Sequence, residues 1–563
     1  MPAWDTESMS EPAMLSPVDT RETRKARGAF FTPQPITEFI ANWAIDSADA
    51  KVLEPSAGDA AFLVEAVRRL SELAGPDASV PSVFGVEIHP HSARVAERRV
   101  AAAGGHLDVK VSDFFLVAPS AEFSAVIGNP PFIRYQDFSG DARTRSREAA
   151  LRAGVVLTGL ASSWAAFAVH SALFLKEGGR LGLVLPAELL SVNYASPVRK
   201  FLFQSFASVE LVMFEEQVFA DAEADVVLLL AAGFGRGPVA HATIHMAKNA
   251  GSLANLGEGL RWAPEDPAGK WTTLLVDPEA CEPLRSLRAS GEFCDLEVWG
   301  DTTLGMVTGN NRYFGLSPAR VKELGLSARD LLKLVPPGSA HLRGLEFTEA
   351  DRVRLGKAGS STWLFRPRAA PSGPAARYVE QGHATGVDEA YKCRVRRVWY
   401  DVPLQPIADL FLTCMNADVP RVAANAARAL HLNSVHGIYL DESCKELGIE
   451  MLPLVSLNSV TLLHGEVVGR SYGGGVLKIE PREADRWAFP SPALVRRRLR
   501  QLRAVRDVVA QSLSNGDVAG ASRAVDQALF GRTRLVSKDD LEAVRKAHRA
   551  LQLRRATRGK SGG

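Results

Sequence analysis

Cysteine is sparse in this 563-residue chain and has no useful spacing. The five residues, Cys281, Cys294, Cys393, Cys414 and Cys444, are odd in number and form no C-x-x-C pair, which argues against both a disulfide framework and a zinc site. They read as buried thiols. Long apolar runs are missing too: the longest, Val226 to Phe234, falls far short of the roughly 20 residues a membrane helix requires. Met1 to Thr20 lack the basic start and apolar centre of a secretion signal, so a disordered tail over 1–23, a cytoplasmic location and no membrane partner are expected. His89 and His91 flank Pro90 close to Glu87, but no third ligand follows at a suitable spacing, and no metal is expected.

Strong net charge is also absent, at +2, yet the balance is uneven. Up to residue 250 there are 22 Lys and Arg against 29 Asp and Glu, a net of −7; beyond it the counts are 44 and 35, a net of +9. Such asymmetry suits a polyanion-binding module attached to an acidic one, although a solvated arginine-rich surface looks the same. With 46% hydrophobic and 23% charged residues the composition is that of a globular protein, and the length implies two or three domains.

From Lys51 to Leu230 short apolar runs alternate with helix-like segments, the mark of a parallel sheet with crossover helices. Strands are expected at Val52-Leu53, Ser82–Val86, Val109–Val111, Ala125–Ile127, Leu181–Leu185 and Val226–Leu230. Helices are expected over 61–73, 93–103 and 164–176, the last stopped by Gly178-Gly179. Past about residue 235 the alternation fades into Gly/Pro-punctuated segments, which marks a change of domain. From Pro492 onward the chain turns helical and Arg-rich.

The strand ends carry the chemistry. Leu53-Glu54-Pro55-Ser56-Ala57-Gly58-Asp59 runs from a strand into a helix, where an open α/β sheet binds ligands. Its single glycine suits a cofactor without a pyrophosphate better than a dinucleotide, and S-adenosylmethionine fits. Glu87 ends the second strand, where a carboxylate can accept ribose hydroxyls. Asp113-Phe114 ends the third, with an acceptor for an adenine amine and an aromatic for its face. Asn129-Pro130-Pro131-Phe132 ends the fourth. An exocyclic amine is a poor nucleophile because its lone pair is delocalised into the ring. The Asn129 side-chain oxygen and the Pro130 carbonyl can each accept one of its hydrogens, the prolines keep the turn stiff, and Phe132 can stack on the base. Read this way, the motif suits methyl transfer to a planar nitrogen, which rests on positioning rather than on a nucleophilic side chain.

Gly28-Ala-Phe-Phe-Thr32-Pro33, Leu53 to Phe62, Gly85-Val-Glu87, Asp113-Phe114 and Asn129 to Phe132, in that order, resemble the gamma-class, TaqI-like adenine-N6 DNA methyltransferases of restriction–modification systems. The resemblance implies a class I, Rossmann-like α/β catalytic domain over 24–245, a mixed α/β target recognition domain over 246–491 and a helical segment over 492–563. It makes Thr32, Glu54, Gly58, Glu87, Asp113 and Phe114 cofactor contacts, and Asn129 to Phe132 the holder of a flipped adenine. Phe219 matches, more loosely, a second aromatic stacking on that base. Leu304 to Phe314, Tyr391 to Tyr400 and Gly473 to Pro481 look like segments of the recognition domain, with Asn310, Asn311, Arg312, Arg396 and Arg397 as candidate DNA contacts. The implied partners are double-stranded DNA and a cognate restriction endonuclease, and a monomer is expected. The alternatives are a methyltransferase acting on RNA or a protein glutamine, and a DNA-binding defence component that needs a partner. The long basic C-terminal part favours DNA.

Overall fold

Apolar runs without alternation require cover on both faces, and Leu181-Gly-Leu-Val-Leu185 and Val226–Leu230 find it in the middle of one large sheet. The computed structural model describes residues 32–560, apart from 77–78, 220–225, 265, 368–370 and 372, and the tail expected over 1–23 lies outside them. The chain divides into two units, Met1–Gly269 and Lys270–Gly563.

In unit one, helix α1 (Gln34–Ala44) precedes β1 (Val52–Glu54), α2 (Ala61–Ala74), β2 (Ser82–Glu87), α3 (Pro90–Ala102), β3 (His106–Val111) and β4 (Phe123–Gly128). There follow α4 (Gly140–Leu151), α5 (Ser163–Ala172), β5 (Leu175–Pro186), α6 (Ser196–Ser205), β6 (Ser208–Phe214), β7 (Val226–Ala232), β8 (Ala242–Ala247) and β9 (Leu260–Trp262). The sheet order is β3-β2-β1-β4-β5-β7-β6-β8-β9, with β3 through β5 parallel and β7 antiparallel to both neighbours. Strand order reverses between β1 and β4, so the crevice beyond their carboxyl ends is where such a sheet takes ligands. Phe62, Leu63, Ala66, Val67 and Leu70 form the buried stripe of α2, each of the larger ones worth about 1.5–3 kcal/mol of burial.

Two boundaries differ from expectation. Gly178-Gly179 does not stop a helix; α5 already ends at Ala172, and the glycines lie inside β5, where the register against β4 jumps from Phe123↔Leu175 to Ala125↔Arg180. Gly178, with φ +80°, supplies the bulge. The first unit also runs past residue 245, because β8 and β9 continue its sheet.

Unit two is built on smaller antiparallel sheets. Gly300–Leu304, Val435–Leu440, Leu410–Thr413 and Val422–Ala424 form a four-stranded one; Gly315–Leu316, Trp363–Phe365 and Leu331–Lys333 form a three-stranded one. The helices Pro492–Ser514, Val518–Phe530 and Lys538–Lys560 do not stand apart as a segment of their own. Leu494, Leu502, Val509, Val525, Leu529 and Val544 are buried in the same core as Trp299, Met451 and Trp487.

Candidate active site

The site grows from the ends of β1, β2, β3 and β4. After β1 the chain turns through Gly58 (φ +51°) and Ala60 (φ +64°), a left-handed pair that lets α2 start close behind the strand. For alanine that conformation costs about 1–2 kcal/mol. The turn is held by Ala57 N donating to Val86 O at 2.9 Å, and by Gly58 N donating to Glu87 Oε2 at 2.8 Å. Glu87 Oε1 takes His89 N at 2.9 Å. Each carboxylate oxygen therefore keeps a lone pair for a further donor, and the group is fixed in direction by β2.

Glu54 is 3% exposed, and no described residue donates to its Oε2. Burial, with Asp59 and Glu87 nearby, pushes its carboxyl well above the usual carboxylate range. Gly128 packs against it: a Cβ there would stand 3.4 Å from Glu54 Cγ and from Pro55 Cδ. An orphaned acid at a switch point invites a cationic group. S-adenosylmethionine brings an ammonium and a sulfonium, so the donor set fits it.

At the end of β3, Asp113 Oδ1 accepts from Phe115 N at 3.0 Å and starts a short turn. Its Oδ2 pairs with Arg145 Nε at 3.0 Å, a contact from α4 that the sequence reading missed. Phe114 corrects another expectation. Its ring is 3% exposed, stacked with Phe167 at 5.5 Å and Phe174 at 5.1 Å and edge-on to His170, so it offers no open face to an adenine. The turn capped by Asp113 rolls the ring into the core.

Asn129 ends β4, and its Nδ2 donates to Thr32 Oγ1 at 3.1 Å. That bond fixes the amide, and no described residue donates to Oδ1 or to the Pro130 carbonyl. The Pro131 carbonyl, by contrast, is held by Ser163 Oγ, which also accepts from Ile133 N at 2.9 Å. Ser163, the first residue of α5, braces the loop from some thirty positions away; a lone serine gives no sequence signal for it. Phe132 and Phe219 both pack on the core of unit one, Phe132 partly buried and Phe219 only 5% exposed, so Phe219 sits as a core side chain.

In unit two, Asn310 Oδ1 caps Tyr313 N at 3.1 Å, and Asn311 bonds Thr308 and Asn433. Arg396 does not reach outward: it donates to Val307 O at 2.7 Å and Trp399 O at 3.2 Å, pinning two loops together. Arg312 and Arg397 are exposed.

A sheet of this order with an antiparallel seventh strand, and acceptors ending four successive strands, defines a class I S-adenosylmethionine-dependent methyltransferase fold. Residues 16–233 match the family model described as N-6 DNA Methylase, and residues 268–530 the model for the C-terminal domain of the type II methyltransferase M.Eco57I. By sequence the chain is similar to DNA methyltransferases of restriction–modification systems. It is 27% identical over 508 residues to the type II methyltransferase M.XamI of Xanthomonas campestris pv. amaranthicola, covering 85% of this chain and 87% of that one. It is 22% identical to the type II methyltransferase M.AccI of Acinetobacter calcoaceticus, covering 83% and 85%. In fold it resembles the type IIL restriction-modification enzyme MmeI, whose structure is in complex with DNA, with a TM-score of 0.54 and 11% identity over 92% of this chain and 75% of that one.

Proposed function

We propose that this chain transfers a methyl group from S-adenosylmethionine to N6 of an adenine turned out of duplex DNA, as the modification activity of a restriction–modification system. One observation carries the reading: at the end of β4 two acceptors, Asn129 Oδ1 and Pro130 O, have no donor among the described residues and sit on a braced loop, while the next carbonyl is tied back by Ser163. Two acceptors are what an exocyclic amine requires. By taking both N–H hydrogens they favour the geometry in which the nitrogen lone pair leaves conjugation and points at the methyl carbon. As the N–C bond forms and the methyl–sulfur bond breaks, the nitrogen would gain positive charge, which the same oxygens would stabilise before one proton leaves. A base stacked in a duplex cannot present N6 in this way, so it must be extracted, with Phe132 available to stack on it.

The cofactor supplies the electrophilic methyl group. Glu54 would meet its cationic end, Glu87 its ribose hydroxyls and Asp113 its adenine amine, all within the crevice at the β1/β4 switch point. Methyl acceptors other than DNA are less well supported, since relatives aligned along most of the chain are type II methyltransferases.

The test is single-molecule sequencing of genomic DNA from a methylation-free host expressing the chain. N6-methyladenine confined to one short motif supports the proposal. Unmodified DNA from a folded protein that binds S-adenosylmethionine would overturn it. Asn129→Ala should lower kcat by at least about 10²-fold while leaving DNA affinity nearly unchanged.

A further inference from the structure

Unit two contains a cavity of about 490 Å3 that the active site does not use. Its frame is stiff. The short helix Asn311–Phe314 and the helix Pro374–Ala384 are latched by a reciprocal pair: Tyr313 Oη donates to Tyr378 O and Tyr378 Oη to Tyr313 O, each at 2.9 Å, with the rings stacked 4.5 Å apart. Gly382 makes room for this latch, since a Cβ there would lie 2.7 Å from Tyr313 Oη and 2.5 Å from the Trp399 ring.

Among the described residues the lining is rich in hydrogen-bond donors and includes no carboxylate. Asn310 has its Oδ1 occupied by Tyr313 N, which fixes the amide and leaves its NH2 to donate. Ser317 Oγ accepts from Arg320 N at 3.2 Å, so its O–H remains available. Arg312 and Gln381 are exposed on the cavity wall, and no described residue pairs with either side chain. Arg320 is already paired with Glu323 and contributes less.

A concave, donor-lined surface without a carboxylate fits a protruding anion. We propose that this cavity receives a backbone phosphate of the DNA, with Arg312 as the charged partner and Asn310, Ser317 and Gln381 as neutral donors, so that it sets the register of unit two on the duplex without reading sequence. The inference rests on the DNA methyltransferase reading. A guanine edge, with its two major-groove acceptors, would also take Arg312, and loss of the motif duplex alone is the outcome that would reveal it.

The experiment measures binding of the full chain to two duplexes, one carrying the motif found by sequencing and one scrambled, over a range of salt. Arg312→Gln should weaken both by the same factor, on the order of tenfold, and make the slope of log K against log salt shallower by about 0.9. Gln381→Ala should weaken both equally, by less. An Arg312→Gln protein with unchanged affinity and slope, or one that loses only the motif duplex, would overturn the assignment while leaving the methyltransferase reading intact. So would stabilisation by inorganic phosphate that depends on Arg312 while DNA affinity does not. A wild-type protein that binds neither duplex would overturn both readings.

Discussion

At the scale of single residues, the most consequential group is Glu54, because its burial works against the empty protein and for the loaded one. A folded-state pKa raised above that of the unfolded chain means that Glu54 holds its proton where an unfolded glutamate would have lost it, so folding stability falls as pH rises through that window. On the proposed reading, a cationic cofactor bound there would reverse the preference and expel the proton. Glu54→Gln should therefore raise the melting temperature of the cofactor-free protein at neutral pH and weaken cofactor binding. Calorimetry in buffers of different ionisation enthalpy should detect proton release in the wild type and none in the variant. Ser163→Ala, which frees the Pro131 carbonyl, should lower kcat about tenfold or more with little change in cofactor affinity, measured by steady-state methylation kinetics. Asn129, Glu87 and Glu54 were legible because each ends a strand within a contiguous motif. Ser163 and Arg145 were not, because their partners lie some thirty positions away and only the fold brings them together. Phe114 misled because a strand-end aromatic looks the same in sequence whichever way its turn rolls.

Secondary structure elements fix these residues through close contacts that tolerate little change. Helix α1 lies directly on β5: a Cβ at Gly182 would stand 2.7 Å from Ile40 Cγ2. Gly182→Ala should push α1 outward and with it Thr32, costing about 1–3 kcal/mol by overpacking and loosening the hold on Asn129. Urea unfolding would read the first effect and kcat the second. The central strands could be read from sequence because they are apolar on both faces. β8 and β9, the last two strands on one side of the sheet and of mixed burial, could not, which is why the first unit extends beyond the expected boundary. The C-terminal helices read correctly as helical but not as core. Their arginines concealed an apolar stripe, and the charges turn inward: Arg555 pairs with Glu466 while bonding several carbonyls, and Arg545 bonds buried Asp526. Removing one partner of such a pair strands the other, so Arg555→Ala should cost about 3–5 kcal/mol, measurable by chemical denaturation.

Across the whole molecule, buried histidines set the response to acid. Burial holds His341, His431 and His548 down at about 4 and His464 at about 3, against an ordinary value of 6.5. An unfolded chain takes up these protons near pH 6.5 while the folded one refuses them until about pH 4, so stability is full above 6.5 and declines through that window. Each histidine contributes about 1.4 kcal/mol per pH unit within it. Urea midpoints should fall steeply between pH 6.5 and 5, and His431→Gln should flatten the fall by about one proton. The basic surplus after residue 250 raises the expectation of a polyanion-binding surface, but part of it is engaged in bonds within the unit. Arg498 donates to Ala528 O and Gly531 O, Arg503 clasps Glu450, and Arg396 ties its loops. A formal count of arginines therefore overstates the ionic strength sensitivity of this protein. Its grip on a polyelectrolyte should weaken with added salt at the rate set by the guanidinium groups that meet phosphate, not by the net charge of +9 over 251–563 that a colloid chemist would start from.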